Sequence, residues 1–336
     1  MQDVAKHANV SVATVSRVIN DSTQVRQAVR ERVLASMKAL AFVPNYVARG
    51  LKMNTSTTIG FMAADISNSY YISIARALED VISKCNYNLT VCSTGNDRER
   101  ELRYLKLYHS QNVAALVINT TGKNDKFILE MNKYIPMILL NRRIQEPGFA
   151  GDYLGENNFK GSYLLTKQLL AFGHRRIYVL HGPPYLSNAL ERLQGFKAAM
   201  AEAGEDASAE YPYYYDAKFS SEGGYSAVQR MPGLKTPPTA IISHNNMITM
   251  GVLHGLFEKH IIPPRDISVA GYETVENLDL MTVRPTVVAH DVAAMGRIAG
   301  EAVLSRIQDP LIPNRDYIMQ PEFLNGNAVG MVIGNN

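Results

Sequence analysis

The sequence has little of what marks a membrane or exported protein. Apolar stretches such as Ala114–Ile118 and Pro136–Leu140 are short, whereas a helix needs about 20 apolar residues to cross a bilayer. Residues 1–10 carry charges and no apolar core of the kind that a secretory signal needs. We therefore expect a cytoplasmic protein that has no membrane partner.

Cysteine and the usual catalytic motifs are also scarce. The only cysteines, Cys85 and Cys92, form no CxxC pair and have no nearby pair of histidines, which argues against a disulfide framework or a zinc site. Free cysteines are usually buried, so we expect two buried thiols. The chain contains no Gly-x-Ser-x-Gly, Walker or His-Glu-x-x-His motif. The sequence thus predicts neither an enzyme nor a metal site, and it indicates no cofactor.

The charge that is present lies unevenly along the chain. The 336 residues are enough for two or three domains. Up to Asn54 the sequence has eight basic and three acidic residues, a net charge of +5, against −2 in the remainder. Because neutralised phosphates supply most of the non-specific affinity for DNA, this pattern favours an N-terminal nucleic-acid module. A basic helical segment that does not bind nucleic acid would have the same charge.

Three short helices are predicted in this basic segment. Asp3–Ala8 and Val12–Asn20 have apolar residues at helical spacing and a tight turn between them, and Ser11 is placed to cap the second helix. A third helix, from about Gln27 to Leu40, covers the pair with apolar side chains. These are Val29, Val33, Ala35, Met37 and Leu40. The pattern is that of a helix-turn-helix, whose second helix enters the major groove of DNA.

The second helix presents side chains suited to DNA. Arg17 can donate two hydrogen bonds to a guanine, although a solvated surface arginine would look the same in sequence, and Val12 and Ala13 can contact a thymine methyl group. Hydroxyl and amide groups nearby can hold phosphates. The candidate DNA-binding residues of this segment are Ser11, Val12, Ala13, Thr14, Ser16, Arg17, Asn20 and Arg26.

Two adjacent segments carry a family resemblance. Residues 3–20, Asp-Val-Ala-Lys-His-Ala-Asn-Val-Ser-Val-Ala-Thr-Val-Ser-Arg-Val-Ile-Asn, resemble the headpiece of the lactose and galactose repressors, the LacI/GalR family. Residues 42–51, Phe-Val-Pro-Asn-Tyr-Val-Ala-Arg-Gly-Leu, resemble the hinge of the same family. The resemblance implies a transcriptional repressor of the bacterial nucleoid, which binds near-palindromic double-stranded operator DNA as a homodimer. It also implies control by a small-molecule effector.

The hinge of this family folds into a short helix only on DNA, where a leucine wedges into the minor groove. Leu51 matches that leucine. Pro44 and Asn45 can start a helix that is too short to persist alone, and Gly50 weakens it. The candidate hinge contacts are Asn45, Ala48 and Leu51, and a plain linker is the alternative. We expect a headpiece at 1–41, a hinge at 42–56, and an effector-binding and dimerisation domain at 57–336.

Apolar runs alternate with helical patterns in the rest of the chain, which is typical of βαβ units. The expected strands are Ile59–Ala64, Leu89–Cys92, Ala114–Ile118, Met137–Leu140, Ile177–Leu180, Ala240–Ser243 and Ile267–Ala270. Continuous apolar strands indicate sheets that are covered on both faces, and their number favours two doubly wound, mostly parallel lobes.

The expected fold class is therefore a small all-α helix-turn-helix headpiece plus an α/β core of two parallel-sheet lobes. The resemblance implies that this core is similar to periplasmic sugar-binding proteins, with chain crossings near Glu156, Val287 and Gln320. The first lobe would then comprise about 57–156 and 288–320, and the second about 157–286 and 321–336.

Ligands of open α/β sheets lie beyond the carboxyl ends of the strands, which in a two-lobed core means the cleft. The candidate effector-binding residues, at positions that match family contacts, are Tyr70, Tyr71, Asn119, Thr121, Asn141, Asn188, Arg192, Phe219, Asn246 and His290. Amides and Arg192 can hydrogen-bond the hydroxyl groups of a sugar, while aromatic rings stack on its C–H face. Core packing explains either tyrosine equally well, a structural hydrogen bond would explain His290, and an interlobe salt bridge would explain Arg192.

Three asparagines, Asn141, Asn157 and Asn246, stand where many family members have aspartate. The cleft is therefore expected to hold less negative charge, which favours a sugar acid or sugar phosphate paired with Arg192. A neutral sugar held by amides fits equally. A regulator that requires a corepressor, such as a nucleobase or a partner protein, is the alternative mode of control.

Overall fold

The computed structural model describes residues 1–19, 25–42 and 56–332. The chain divides into an N-terminal unit, residues 1–56, which contains the headpiece, and a second unit from Thr57 onward, which we call the core. None of the helices within residues 1–19, 25–42 and 56–332 has both the length and the apolar character that a membrane span requires.

Three helices build the headpiece: α1 (Gln2–His7), α2 (Val12–Ile19) and α3 (Gln27–Ala39). Val4, Val15 and Val33, one from each helix, are fully buried in a single apolar cluster. The Ser11 hydroxyl accepts a hydrogen bond from the backbone N–H of Thr14 at 3.1 Å, which confirms the predicted cap of α2.

Helix α3 packs through Val29, Val33 and Met37, as expected, but not through Ala35 and Leu40. Val33 is buried, but Ala35 and Leu40 are exposed. Ser36 takes the inward position instead, because its hydroxyl lies 3.0 Å from Nδ1 of His7 on α1. A polar contact between two helices therefore replaces part of the predicted apolar face.

Strands and helices alternate through most of the core. In chain order they are β1 (Thr58–Ala63), α4 (Ser69–Ile82), β2 (Asn88–Ser93), α5 (Arg98–Ser110), β3 (Ala115–Ile118), α6 (Asp125–Asn132), β4 (Met137–Leu140), β5 (Asp152–Glu156), α7 (Asn158–Ala171), β6 (Ile177–His181), α8 (Ser187–Glu202), β7 (Tyr214–Asp216), α9 (Ser221–Arg230), β8 (Ala240–Ser243), α10 (Asn246–Glu258), β9 (Ser268–Tyr272), β10 (Thr286–Ala289), α11 (Val292–Gln308), β11 (Asp316–Met319) and β12 (Glu322–Leu324).

Two six-stranded sheets organise these elements into two lobes. The first sheet has the order β11-β5-β4-β3-β1-β2 and is parallel throughout. The second has the order β12-β10-β9-β8-β6-β7, and only β12 runs antiparallel to its neighbour. Buried apolar clusters lie on both faces of the first sheet. The predicted fold class, a helical headpiece with two doubly wound lobes, is confirmed.

The chain passes three times from one sheet to the other. The first passage follows Glu156 and the third lies between Met319 and Glu322. The second follows Ala289, two residues after the expected position near Val287, because Thr286–Ala289 is itself a strand of the second sheet.

Neither cysteine is fully buried, so that expectation is wrong. Cys85 is exposed in a short turn that follows α4, and Cys92 is half-buried in β2. Strand β2 is at the edge of its sheet, where one side lacks a covering neighbour. Among the described side chains, no group of three or more His, Cys, Asp or Glu is arranged to hold a metal ion.

Candidate functional site

The candidate DNA-binding residues that the structure describes lie at the surface of the headpiece unit. Ser11, Val12, Ala13, Arg17 and Arg26 are exposed, and Thr14 and Ser16 are half-buried. Val15 and Val18, on the other side of α2, are buried in the apolar cluster. Helix α2 therefore presents small and polar side chains to solvent. Four further candidates, Asn20, Asn45, Ala48 and Leu51, lie outside the described residues.

A cavity of about 440 Å³ lies between the two lobes of the core. One half of its wall is formed by residues that follow β1, β2 and β4, and the other half by residues that follow β6, β7, β8 and β9. Both halves therefore lie at the carboxyl ends of parallel strands, where α/β proteins bind ligands. The volume is within the usual range for small-molecule pockets.

The structure brings six of the ten candidate effector residues to this wall. They are Tyr70, Tyr71, Asn141, Asn188, Arg192 and Phe219. The other four are Asn119, Thr121, Asn246 and His290, and each has contacts elsewhere.

Two of these four support the wall of the first lobe from behind. The Asn119 side chain accepts a hydrogen bond from the Tyr71 hydroxyl at 3.3 Å, and it is fully buried. Thr121 is bound to the buried carboxylate of Glu101, which accepts from its backbone N–H at 2.7 Å and also from its hydroxyl. These contacts position neighbouring residues and leave little of either side chain for a ligand.

The remaining two link parts of the core across the cleft. The amides of Asn246 and Asn68 donate to each other's oxygen atoms at 2.9 and 3.1 Å. His290 lies at the second passage between the lobes and packs edge-on against the ring of Tyr70, with centroids 5.8 Å apart. Asn246 and His290 thus contribute to the way the lobes meet.

Arg192 is the centre of a buried ionic network. Its Nη2 lies 3.3 Å from Glu156 Oε2 and 3.5 Å from Glu273 Oε1. Its Nε donates to Asn158 Oδ1 at 2.8 Å, and its Nη1 donates to the carbonyl oxygen of His244. Burial lowers the pKa of Arg192, but the charges around it, above all that of Glu156, outweigh burial and raise the pKa. Because Glu156 ends a strand of the first sheet, this is an interlobe salt bridge.

The charge of Glu156 also affects the protonation of Glu273. Burial, and after it the charge of Glu156, raises the pKa of Glu273 to about 8. The Tyr70 hydroxyl donates to Glu156 Oε1 at 2.9 Å, and burial raises the pKa of this hydroxyl well above its ordinary value. Burial and the charge of Glu156 therefore favour the protonated form of Glu273. The expected loss of negative charge from the cleft does not hold around Arg192, whose guanidinium group lies within 4.0 Å of both Glu156 and Glu273.

Phe219 forms an aromatic part of the wall. Its ring centroid lies 5.9 Å from Cζ of Arg192 and 6.0 Å from Cζ of Arg142. The residue has a φ of 57°, in the left-handed region that side-chain-bearing residues rarely adopt. A Cβ atom on Gly182 would lie 2.2 Å from the Phe219 ring. The absence of a side chain at Gly182 therefore lets the ring occupy this place.

Sequence reasoning missed several residues of the wall, among them Asn96, Arg142 and Glu273. Each follows a strand, so the strand-end rule that found Asn141 applies to them as well. Nothing in the sequence separates Arg142 from Arg143, however. The structure buries Arg142 in the wall and pairs Arg143 with Asp316 at 2.7 Å.

Family comparisons cover both units. Residues 56–318 match the family of periplasmic binding proteins and sugar binding domain of LacI family. Residues 1–45 match the family of bacterial regulatory proteins, lacI family.

Individual relatives extend over nearly the whole chain. The sequence is 31% identical over 331 residues to the HTH-type transcriptional repressor PurR of Mannheimia succiniciproducens, covering 98% of each chain. It is 30% identical over 322 residues to the ribose operon repressor of Haemophilus influenzae, covering 96% of each. Among solved structures, the lac repressor dimer bound to operator and the anti-inducer ONPF has the same fold, with a TM-score of 0.81 at 22% identity over 98% of both chains. The chain therefore belongs to the LacI family of bacterial regulatory proteins.

Proposed function

We propose that this protein is a transcriptional repressor that binds operator DNA through α2 and is controlled by a small molecule in the interlobe cavity. The observation that carries the proposal is the cavity, because side chains from the strand ends of both lobes share one space of about 440 Å³. A ligand that favours one arrangement of the lobes can change DNA affinity, and DNA then changes ligand affinity by the same factor. The protein acts in the cytoplasm, on the nucleoid, and has no catalytic role.

The wall supports a sugar or sugar derivative as the effector. Asn188 and Asn141 offer amide groups, and Phe219 offers a ring for the C–H face of a sugar. Burial raises the pKa of Tyr71 to about 12, so its hydroxyl remains protonated at physiological pH. Hydrogen-bonding groups around an aromatic ring suit a polyhydroxylated ligand.

DNA recognition is assigned to a homodimer that places one α2 in each half-site of a near-palindromic operator. Within each headpiece, Arg17 reads a guanine, and Val12 and Ala13 contact bases. Ser11, Thr14, Ser16, Asn20 and Arg26 hold phosphates. Asn45, Ala48 and Leu51 belong to the hinge, where Leu51 wedges into the minor groove.

A comparison of two arginine variants tests this assignment. Arg17→Ala should lose about 1–3 kcal/mol of discrimination at one base pair, measured by fluorescence anisotropy on operators with single substitutions. Arg32→Ala removes the same charge from an exposed position on α3 and should keep the base preference. An unchanged preference in Arg17→Ala would refute the role of this residue.

Calorimetry with neutral sugars, sugar acids, sugar phosphates and nucleobases tests the effector half, and operator affinity is then measured with and without each ligand that binds. Weaker operator binding would identify an inducer. Stronger binding would identify a corepressor and support the alternative mode of control. Ligands that bind in the cavity without changing operator affinity would contradict the proposed regulation.

A further inference from the structure

Arg142 is a buried cation in the cavity wall whose charge the described protein does not pair. It directly follows Asn141 after β4, and only 3% of its surface is exposed. The ion pairs within 4.0 Å among the described residues engage Arg143, Arg192, Arg306 and other cations, but not Arg142. Burying a charge without a partner costs free energy that a counter-ion would recover.

The hydrogen bonds of Arg142 use one side of its guanidinium group. Nη1 donates to Asn96 Oδ1 at 2.8 Å and to the carbonyl oxygen of Thr120 at 2.9 Å. Nε is buried and has no hydrogen-bond partner. The edge formed by Nε and Nη2, which arginine uses to bind carboxylate or phosphate with two parallel hydrogen bonds, is thus unengaged by the described protein groups.

A second unpartnered atom lies on the neighbouring residue. Nδ2 of Asn141 donates to the Tyr70 hydroxyl at 2.6 Å, while Oδ1 of Asn141 is buried without a partner. The single proton of the Tyr70 hydroxyl is donated to Glu156. The amide must therefore present its NH₂ group to Tyr70, and its buried oxygen is left without a donor among the described groups.

The other charges of the wall do not serve the same purpose. Arg192 is paired with Glu156 and Glu273 and has hydrogen bonds on all three of its nitrogens. Lys218 is exposed to solvent, where its charge is hydrated. Arg142 is thus the buried positive charge that a ligand in this cavity can neutralise.

We propose that the effector is a hydroxylated anion, either a sugar acid or a sugar phosphate, whose anionic group binds the Nε–Nη2 edge of Arg142 and whose hydroxyl group donates to Oδ1 of Asn141. The inference rests on the proposed function, since it assigns a chemical class to the ligand of the same cavity. The sequence favoured Arg192 as the partner of the anionic group, whereas this inference assigns that role to Arg142.

Isothermal titration calorimetry with matched ligand sets tests the class of effector. The sets are D-glucose with D-gluconate, D-glucuronate and D-glucose 6-phosphate, and D-ribose with D-ribose 5-phosphate. In the full-length wild type, at least one anion should bind about tenfold or more tightly than its neutral parent, as expected for a charged hydrogen bond. The carboxylate and phosphate arms then identify which anion the site takes.

Variants separate the charge of Arg142 from its structural contacts. Arg142→Gln should abolish the preference for the anion, and Arg142→Lys should retain part of it. Arg143→Gln is the matched control, because Arg143 is the next residue but pairs with Asp316 outside the cavity. If Arg142→Gln does not fold, the wild type and Arg142→Lys still decide the question.

The outcomes distinguish this inference from the function on which it rests. Equal or tighter binding of a neutral parent, or of a nucleobase such as adenine, overturns the inference. So does an anion preference that survives in Arg142→Gln. If such a neutral ligand changes operator affinity, the proposed function still stands. If no probe binds, the inference fails for both anion classes.

Discussion

Folding raises the pKa of Glu273, and this shift can be measured as a pH dependence of the free energy of unfolding. Burial and the charge of Glu156 raise its pKa from 4.5 to about 8. Between these values the folded protein binds a proton that the unfolded chain does not, so the free energy of unfolding falls as pH rises, by at most about 1.4 kcal/mol per pH unit. The amide introduced by Glu273→Gln does not titrate, so this variant does not have that pH dependence. Its stability advantage over the wild type should therefore grow from pH 5 to pH 8 and level off above about 8.

Urea denaturation across this pH range measures the difference between the two proteins. Glu222→Gln is the control, because Glu222 belongs to the same cavity wall but its side chain is exposed to solvent. This variant should follow the wild type at every pH. A constant difference between Glu273→Gln and the wild type would show that the pKa of Glu273 is not raised.

Individual residues also show the limits of sequence reasoning at this site. The sequence placed Arg192 in the wall and offered an interlobe salt bridge as its alternative role, but it did not identify Glu156 and Glu273 as the partners. Arg142 and Arg143 are adjacent and chemically identical, and only the packing of the folded lobe buries one and leaves the other half-buried in a pair with Asp316. Burial and pairing decide function here, and neither is visible from residue type.

At the scale of elements, β5 is tied to α11 and to the segment before β11 by one buried carboxylate. Asp152 is fully buried, with Oδ1 2.6 Å from Arg306 Nη2 and Oδ2 2.9 Å from Arg315 Nη2. Burial raises its pKa, but the hydrogen bonds of the two arginines outweigh burial and lower the pKa below its ordinary value. This contribution to stability is present above the unfolded pKa of 3.8 and is lost as pH falls through the folded value.

Replacing this carboxylate tests its role. Asp152→Asn leaves the buried guanidinium of Arg306 without its counter-charge and should destabilise the protein by about 3–5 kcal/mol. Thermal and urea denaturation at neutral pH measure the change. Asp316→Asn removes a carboxylate from the exposed pair with Arg143 and should cost no more than about 1 kcal/mol. Equal effects of the two variants would contradict the difference in burial.

The apolar composition of each strand decides whether the sequence could predict it. Six of the seven apolar runs lie in buried strands, because burial on both faces selects such residues, whereas the edge strand β2 is exposed or half-buried along its length. Strand β5 was not predicted, because its sequence Asp-Tyr-Leu-Gly-Glu begins and ends with an acidic residue, although all five residues are buried. Its acidic ends are neutralised by arginines far away in the chain, and Arg306 is 154 residues from Asp152. The edge strands β7 and β12 are short and partly exposed, so they lack the apolar pattern.

At the scale of the whole molecule, the cavity depends on contacts that join the lobes over long sequence separations. Asn68 and Asn246, 178 residues apart, form a reciprocal amide pair, and Arg192 reaches Glu156 from the other lobe. The two-lobed fold and the location of the site at the strand ends could be predicted from the sequence. The partners of individual polar groups could not, because they come from different lobes.

Assembly is the remaining feature of the whole molecule, and an exposed apolar face of α10 points to a contact between copies. Met250 and Phe257 are seven residues apart, and so on one side of the helix, and they are 39% and 79% exposed. Leu280, in the same lobe, is 84% exposed. Large apolar side chains on one helix face are typical of an interface. We therefore expect that the proposed homodimer buries Phe257.

Phe257→Asp places a charge in that contact and should shift the protein from dimer to monomer, as measured by sedimentation velocity over a concentration series. Operator affinity should fall in parallel, because a monomer engages only one half-site. Tyr134→Asp is the matched control, since Tyr134 is also strongly exposed, at 76%, but lies between α6 and β4 in the first lobe. If Phe257→Asp remains dimeric while Tyr134→Asp dissociates, the interface lies on the first lobe and not on α10.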